Sequence, residues 1–410
     1  MEAIIARCCG LDVHQGTVVA CVLTDGGKGK VEKEIRTYST FTRDLLKLRD
    51  WQQDRGVTHV GMESTGVYWK PVYAVLEGEF ELIVGNAQHI KNVPGRKTDV
   101  KDSEWIARLV RSGLIRASFV PPKPLRELRE LLRYRRKLVE SRTAERNRLL
   151  KLLESANIKL ASVASNVFGV SGLAMVRAIA EGEATVETLA DMAKGLLRKK
   201  LPELCLALDG RLEEYHRDLL RLQLRRLDDV ERDITALDTR IDERLTAYRT
   251  QQQRLMQIPG VDRITAAVLI AEMGVDMTVF KSAEHLASWA GICPGNDQSA
   301  GKHRTCAIPK GNVALKTALI QAGHAAGRAK GTYLKDKFHR LKARRGAKRA
   351  AVAIGHKILL AAYVMLSRNI DYIDLGESYL DQQDRTRTVA RLRGRIERLG
   401  FEVKLVPKVA

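Results

Sequence analysis

Lys97-Thr98-Asp99-Val100-Lys101-Asp102-Ser103-Glu104-Trp105-Ile106-Ala107-Arg108-Leu109 is the stretch on which the reading of the fold turns. Asp99 and Asp102 stand three residues apart, so on a helix they share one face, about one turn from each other. Val100, Trp105, Ile106 and Leu109, with Val110 beyond them, supply an apolar stripe, and the spacing predicts an amphipathic helix opened by two carboxylates. Lys97, Lys101, Arg108 and Arg111 make its surroundings basic. Acids in a first helical turn often do no more than complement the helix dipole. The other account is that their oxygens hold a divalent cation, which takes hard oxygen ligands and keeps water in its remaining positions. The two accounts separate on whether further acids converge on the same place.

Upstream, two do. Residues 4–23 read as two strands joined by a turn at His14 to Gly16, with Asp12 near the end of the first strand. Leu11 and Val13 flank it and face the opposite side, which leaves an acid set into an apolar strand, costly unless it is paired or metal-bound. Residues 24–30 form a Gly-rich turn and 31–40 a third strand. Phe41, Leu45, Leu48 and Trp51 have helical spacing, ending before Gly56. Residues 57–63 then read as a buried strand that delivers Glu63 into Ser64-Thr65-Gly66, followed by a helix over 68–77 and a strand over 80–84. Three antiparallel strands that begin with an acid suit a ribonuclease-H-like sheet. Ligands of open α/β sheets gather at strand ends, so Asp12, Glu63, Asp99 and Asp102 are expected to meet at one edge. Taken singly, Asp12 is also explained as a turn-initiating residue and Glu63 as a solvated strand-end acid.

The chain has 410 residues, enough for two or three domains. Lys and Arg number 70 against 49 Asp and Glu, a formal charge of +21. That surplus favours a polyanion, nucleic acid before any other. An anionic membrane surface is the competing partner, but no apolar run approaches the length of a bilayer span, and the N-terminus lacks the order of a signal peptide. The expected location is the cytoplasm, with no membrane association. Cys8, Cys9, Cys21, Cys205, Cys293 and Cys306 form no CxxC pair, which excludes a zinc ribbon or disulfide framework and fits a reducing compartment.

Gly10-Leu11-Asp12-Val13-His14, Met62-Glu63-Ser64-Thr65-Gly66 and Lys97-Thr98-Asp99-Val100-Lys101-Asp102 resemble the three N-terminal motifs of a family of bacterial insertion-sequence transposases. The resemblance implies a RuvC-like domain whose Asp-Glu-Asp-Asp site, here Asp12, Glu63, Asp99 and Asp102, is catalytic and binds Mg²⁺, with Mn²⁺ as a substitute.

After Pro121-Pro122-Lys123-Pro124, a long helix is predicted over 125–158, with Leu125, Leu128, Leu132, Leu138, Leu149 and Leu152 among many arginines. Charge of mostly one sign on a helix repels itself unless phosphates neutralise it, so Arg129, Arg133 and Arg136 are read as nucleic-acid contacts beside Lys97 and Lys101. Residues 212–245 carry a coiled-coil seam: Leu212, Tyr215, Leu219 and Leu222, then, after a register break near Leu224, Leu227, Val230, Ile234, Leu237 and Ile241. Packing on the Leu125 helix of the same chain is the plain account of this seam. The resemblance implies instead a coiled coil that joins protomers into a homo-oligomer, a dimer or tetramer.

Residues 255–274 resemble a helix-hairpin-helix element whose Pro259-Gly260-Val261 turn offers backbone amides, that of Gly260 in particular, to phosphate. Trp289-Ala290-Gly291-Ile292-Cys293-Pro294, the run Ser299-Ala300-Gly301-Lys302, and Ile308-Pro309-Lys310-Gly311-Asn312 resemble the C-terminal domain of the same family. The resemblance makes Ser299, in a flexible polar loop, the nucleophile that attacks DNA. Lys302, Arg304 and Lys310 would supply positive charge to the phosphate. Ser282 and Ser288 are less favoured, since both belong to the preceding helix. Helices over 314–329 and 350–367 are rich in small residues and can pack closely. Between them runs a basic segment that includes Arg344 and Arg345, read as facing phosphate.

The expected fold is α/β plus mainly α: a ribonuclease-H-like (RuvC-like) domain over 1–118, a basic helical and coiled-coil region over 119–250, a helical transposase domain with the helix-hairpin-helix-like element over 251–375, and a basic, partly disordered tail over 376–410. The expected function is that of a DNA transposase or site-specific recombinase acting on double-stranded DNA at element ends and target. By resemblance a structured noncoding guide RNA, the bridge RNA, pairs with both DNAs, delegating sequence choice to base pairing. Two rivals stay open: a RuvC-like metal-dependent endonuclease that resolves branched DNA with activated water, and a non-catalytic nucleic-acid-binding scaffold. An actin-like phosphotransferase would need a Gly-rich phosphate loop that does not follow Asp12.

Overall fold

The computed structural model describes residues 4–26, 30–93, 102–182, 184–293, 297–299, 302–305, 308–309 and 311–406, with backbone alone at 88, 297–299 and 302–305. The chain divides into two compact units, Met1–Val120 and Pro121–Ala410.

The first unit is a mixed sheet of five strands, β1 (Cys8–Val13), β2 (Thr17–Asp25), β3 (Val31–Ser39), β4 (His59–Glu63) and β5 (Glu81–Gly85), in the order β3-β2-β1-β4-β5. The first three strands are antiparallel neighbours, and β4 and β5 add in parallel. Parallel addition requires crossovers, supplied by α1 (Thr42–Asp54) before β4 and α2 (Trp69–Leu76) before β5. Next come α3 (Ala87–Lys91) and α4 (Asp102–Arg111). The arrangement is the mixed α/β sheet that the strand and helix spacing predicts.

Period-two alternation splits the core of this unit into two layers. Cys9, Leu11, Val60 and Met62 face Leu45, Leu48 and Trp51 of α1 and Val72 and Leu76 of α2. On the other side Cys8, Cys21 and Leu23 meet Trp105, Ile106, Leu109 and Val110 of α4. The cysteines of β1 and β2 are thus core residues: burial pushes the thiol of Cys8 up to about 11 and that of Cys21 up to about 12.

The second unit is helical. α5 (Lys123–Ser155) starts behind the Pro121-Pro122 pair and carries Pro124 in its first turn, where a missing amide costs nothing. Small helices follow: α6 (Leu160–Val163), α7 (Val170–Glu181), α8 (Val186–Asp191) and α9 (Leu201–Leu208). α10 (Glu214–Arg244) then returns antiparallel along α5. An ion-pair ladder fixes the direction: Arg244 with Glu127, Arg135 with Asp238, and Arg146 with Glu231 at 2.8 Å. The plain account of the α10 seam therefore holds within the chain, with one correction. The buried stripe of α10 is His216, Leu220, Leu224, Leu227, Ile234 and Ile241, which keeps a single register. Tyr215, Leu219 and Leu222, expected in the seam, are exposed. The helix turns the neighbouring column inward, and the predicted slip near Leu224 is absent.

The remainder comprises α11 (Arg249–Leu255), α12 (Arg263–Met273), α13 (Ala283–Ala290), the hairpin β6 (Asp297–Ser299) and β7 (Lys302–Thr305), α14 (Val313–Ala326), α15 (Tyr333–Arg345), α16 (Ala347–Arg368), α17 (Tyr379–Gln383) and α18 (Arg385–Glu397). α14 and α16 do pack closely: a Cβ placed on Gly355 would stand 2.7 Å from the Leu319 carbonyl oxygen. α16 differs from expectation in one respect, being long and apolar enough to cross a bilayer by length and composition. Its apolarity has another use here, since Ala351, Ile354, Ile358, Leu359 and Ala362 are buried in the helical core. Within the basic tail, Asp384 caps α18 by accepting from the Arg387 amide at 3.2 Å.

Candidate active site

Parallel pairing of Leu11 with Met62 sets Asp12 and Glu63, the next residue on each strand, level with one another at the carboxyl ends of the two central strands. Neighbouring strands run about 4.8 Å apart, so the two acids start from adjacent positions. Asp12 and Gly10 lie on the same face of β1, and Glu63 and Gly61 share the corresponding face of β4. A Cβ on Gly10 would stand 2.2 Å from the Ala107 nitrogen and 2.3 Å from the Ser103 oxygen of α4. A Cβ on Gly61 would stand 2.3 Å from a Val110 methyl carbon. α4 rests on the strands where they lack side chains, with its first turn over β1, and its first residue is Asp102.

The electrostatics agree with that placement. Burial is the largest cause raising the Asp12 carboxyl above its ordinary value; His14 opposes the shift, and the negative charges of Asp102 and Glu63 add to it. His14 Nε2 lies 3.2 Å from Asp12 Oδ2, and the Thr65 hydroxyl donates to Glu63. Sequence reasoning gave no role to His14, Thr65 or Glu104. Glu104, two residues past Asp102, is buried, and although burial alone would raise it, Lys33 at 2.9 Å and Arg108 at 2.7 Å hold its carboxyl below the ordinary range. It pins α4 to β3. Only Arg108, four residues on, is a partner the sequence shows; Lys33 lies 71 residues away and leaves no local pattern.

Asp99, Lys97 and Lys101 lie outside the described residues. Among the described residues, no three His, Cys, Asp or Glu side chains stand close enough together to hold a metal ion. By type, however, Asp12, Glu63 and Asp102 fit a hard divalent cation: all are carboxylates, and the mutual repulsion felt by Asp12 is what such an ion relieves.

Gly10→Ala is expected to destabilise the first unit by about 1–3 kcal/mol, because the atoms in the way belong to the α4 backbone and cannot rotate aside. Gly16→Ala, where a Cβ meets nothing within 4 Å, serves as the control. A urea midpoint unchanged in Gly10→Ala would mean that α4 does not rest on β1.

In the second unit, Ser299 belongs to a two-stranded hairpin rather than to an irregular loop. It ends β6 and is the cross-strand partner of Lys302, which opens β7; Arg304 follows on the same strand. Lys310 lies outside the described residues. Ser282 is spent as the cap of α13, accepting from the His285 amide, and Ser288 lies within that helix.

The arginines expected at nucleic acid fall into two groups. Arg129 and Arg133 both bind the buried Glu272, at 3.0 and 2.9 Å, and Arg136 pairs with Glu140 at 3.0 Å. Arg344 and Arg345 end α15 and are exposed. Gly260 has φ of +89° and backs onto α14, where a Cβ would stand 2.3 Å from the Ala322 oxygen. The start of α12 is capped by Asp262, which accepts from the Thr265 amide at 2.8 Å.

This mixed sheet, with acids level at the ends of its central parallel strands and a third opening the helix laid across them, falls within the part of the chain that a DEDD transposase model matches. That model, described as "Transposase", matches residues 9–158, and one described as "Transposase IS116/IS110/IS902 family" matches residues 252–339. The chain belongs to the IS110 family of transposases, enzymes of DNA transposition. It is 27% identical over 373 residues to the "Transposase for insertion sequence element IS1111A" of Coxiella burnetii, covering 88% of this chain and 90% of that protein. It is 26% identical over 205 residues to the "Putative transposase y4pF/y4sB" of Sinorhizobium fredii, covering 48% of this chain and 50% of that one.

Proposed function

We propose that the chain cuts and rejoins double-stranded DNA at insertion-sequence ends and target, with Asp12, Glu63, Asp99 and Asp102 as ligands of Mg²⁺ or Mn²⁺ and Ser299 as nucleophile. The observation that carries this reading is the level placement of Asp12 and Glu63 with Asp102 above them, close enough to raise the Asp12 carboxyl. A bound divalent ion would supply charge to the scissile phosphate and its leaving oxygen. Asp12, Glu63, Asp99 and Asp102 would hold and orient that ion, and it would relieve their mutual repulsion. The Ser299 hydroxyl forms a P–Oγ bond as the phosphate's bond to a deoxyribose oxygen breaks; the serine gives up its proton and the departing oxygen takes one. The phosphodiester is kept as a phosphoserine linkage, ready for rejoining. Lys302, the cross-strand partner of Ser299, and Arg304 would offset charge on the phosphate oxygens.

Exposed Arg344 and Arg345 extend the contact with DNA, as does Arg136 once released from Glu140. Arg129, Arg133 and Gly260 serve the fold first, as their partners in the chain indicate. The exposed column Tyr215, Leu219 and Leu222 on α10 supports association between copies. Guidance by a structured noncoding RNA rests on the family resemblance and on the surplus of cations.

The test is to purify the protein with its nucleic acid, add supercoiled element-junction DNA and Mg²⁺, and look for a denaturant-resistant protein–DNA adduct. The adduct is expected in the parent and absent in both Ser299→Ala and Asp102→Ala. Cleavage that survives Ser299→Ala but not Asp102→Ala would leave a RuvC-like endonuclease and remove the serine from the mechanism.

A further inference from the structure

The chain positions on either side of the segment that carries the β6–β7 hairpin lie together in the helical unit. Gly291 ends α13 in the left-handed region at φ +68°, and a Cβ there would stand 2.9 Å from both the Gly311 Cα and the Pro309 oxygen. Conversely, a Cβ on Gly311 would stand 2.6 Å from the Ala290 oxygen and the Gly291 nitrogen. Backbone therefore lies against backbone where the loop begins and ends. On the outgoing side Ile292 is fully buried and reaches Gly355 of α16. On the returning side stands Asn312.

Asn312 is held from two directions. Its side-chain oxygen accepts from the Leu315 amide at 3.1 Å and caps α14, while its Nδ2 donates to Glu272 Oε2 at 2.7 Å. Glu272, on α12, is 2% exposed. Its carboxylate also takes a bidentate pair from Arg133, both contacts at 2.9 Å, and one from Arg129 at 3.0 Å. Arg129 further donates to the Glu272 carbonyl at 2.8 Å and the Ala271 carbonyl at 3.3 Å, satisfying end carbonyls of α12 that no helical amide reaches. The network thus runs from α5 through α12 to the residue where the hairpin loop rejoins the core. A capping asparagine needs only its oxygen. The amide directed at a buried, doubly paired carboxylate is an additional constraint on the loop's end.

We propose that Glu272 is a positioning residue for strand transfer: through Asn312 it fixes the returning end of the loop that presents Ser299. This deepens the reading of Ser299 as nucleophile and rests on it for its effect on reaction rate, though not for its effect on the loop. Anchoring both ends of a loop at one point limits where its tip can travel, and a displacement of about 1 Å at a nucleophile costs on the order of 10²-fold in rate.

Asn312→Ser separates the cap from the latch, because serine caps helices as well as asparagine does but is too short to reach Glu272. Three readouts are needed in the full chain: the thermal midpoint, the rate of cleavage by a non-specific protease within residues 293–310, and the rate of adduct formation at saturating DNA beside the DNA concentration for half-saturation. Asn312→Ser is expected to lower the midpoint by only a few degrees, to keep half-saturation, to expose the loop to protease, and to slow adduct formation by about 10–100-fold. Asn312→Asp sets two carboxylates against each other and should behave in the same way or worse. Parental loop protection and adduct rate in folded Asn312→Ser would overturn the proposal. If the loop loses protection in Asn312→Ser while adduct formation proves independent of Ser299, the latch stands and the serine mechanism falls.

Discussion

Asp12→Asn is expected to lower the rate of DNA cleavage by on the order of 10³-fold or more, the several kcal/mol that a metal ligand supplies to phosphoryl transfer, while leaving the metal-free protein at least as stable as the parent at neutral pH. Both halves follow from the same placement. Asp12 is raised chiefly by burial and further by Asp102 and Glu63, so ionising it costs the folded state more than the unfolded chain. A group raised in this way lends stability that is fully present below the ordinary aspartate value and is lost as pH climbs through the raised one. Asparagine keeps the shape and does not ionise. In EDTA, melting midpoints of parent and variant should therefore coincide at acid pH and separate in favour of the variant as pH rises from the ordinary aspartate range towards neutrality. With Mg²⁺ the order should reverse, since the cation stabilises the parent and has lost a ligand in the variant. A metal-free variant that is less stable than the parent at neutral pH would show that Asp12 is held by a favourable partner rather than by neighbours of its own sign.

The largest effect on stability is expected at Glu272. Glu272→Ala removes the carboxylate that Arg129 and Arg133 share and leaves Asn312 without its acceptor, so the unfolding free energy of the second unit should fall by about 3–5 kcal/mol. Burial already pulls the Arg129 guanidinium below its ordinary value, and Glu272 is the main group pushing back. Without it a half-buried cation keeps only the weaker pull of Glu130. Urea unfolding followed by circular dichroism measures the loss, and a change under 1 kcal/mol would mean that water reaches the arginines readily.

The sheet was readable because its strands carry their own punctuation. Apolar runs end in Asp12 and Glu63, with helical spacing at Phe41, Leu45, Leu48 and Trp51 between them, and parallel order follows once a helix intervenes. Gly10 and Gly61 were readable only afterwards: a glycine in a strand signals close approach, but nothing local says that α4 is what approaches. The seam of α10 went one column astray at Tyr215, Leu219 and Leu222. Leucines occupy both that column and the next, so periodicity could not choose between them, and the choice fell to which column α5 could cover. Arg129 and Arg133 were read as phosphate contacts for a related reason. Their partner, Glu272, stands far along the chain in a helix that otherwise reads as apolar, and a long-range ion pair leaves no local pattern. Glu104 is the same case at shorter range, tied to Lys33 across the sheet.

The ladder between α5 and α10 bears on how firmly DNA is gripped in salt. Affinity for a duplex comes largely from small cations that DNA sheds when a protein's own charges replace them, about 0.9 per phosphate neutralised. Arg135, Arg146 and Arg244 lie against carboxylates of this chain, and Arg129 and Arg133 against Glu272, so none of the five sheds anything from DNA while so engaged. Counting the 70 Lys and Arg as potential phosphate partners therefore overstates the number of ions released. The dependence of DNA affinity on salt is therefore expected to follow exposed groups such as Arg344 and Arg345, with the long hairpin of arginine-rich helices acting as a strut within the protein.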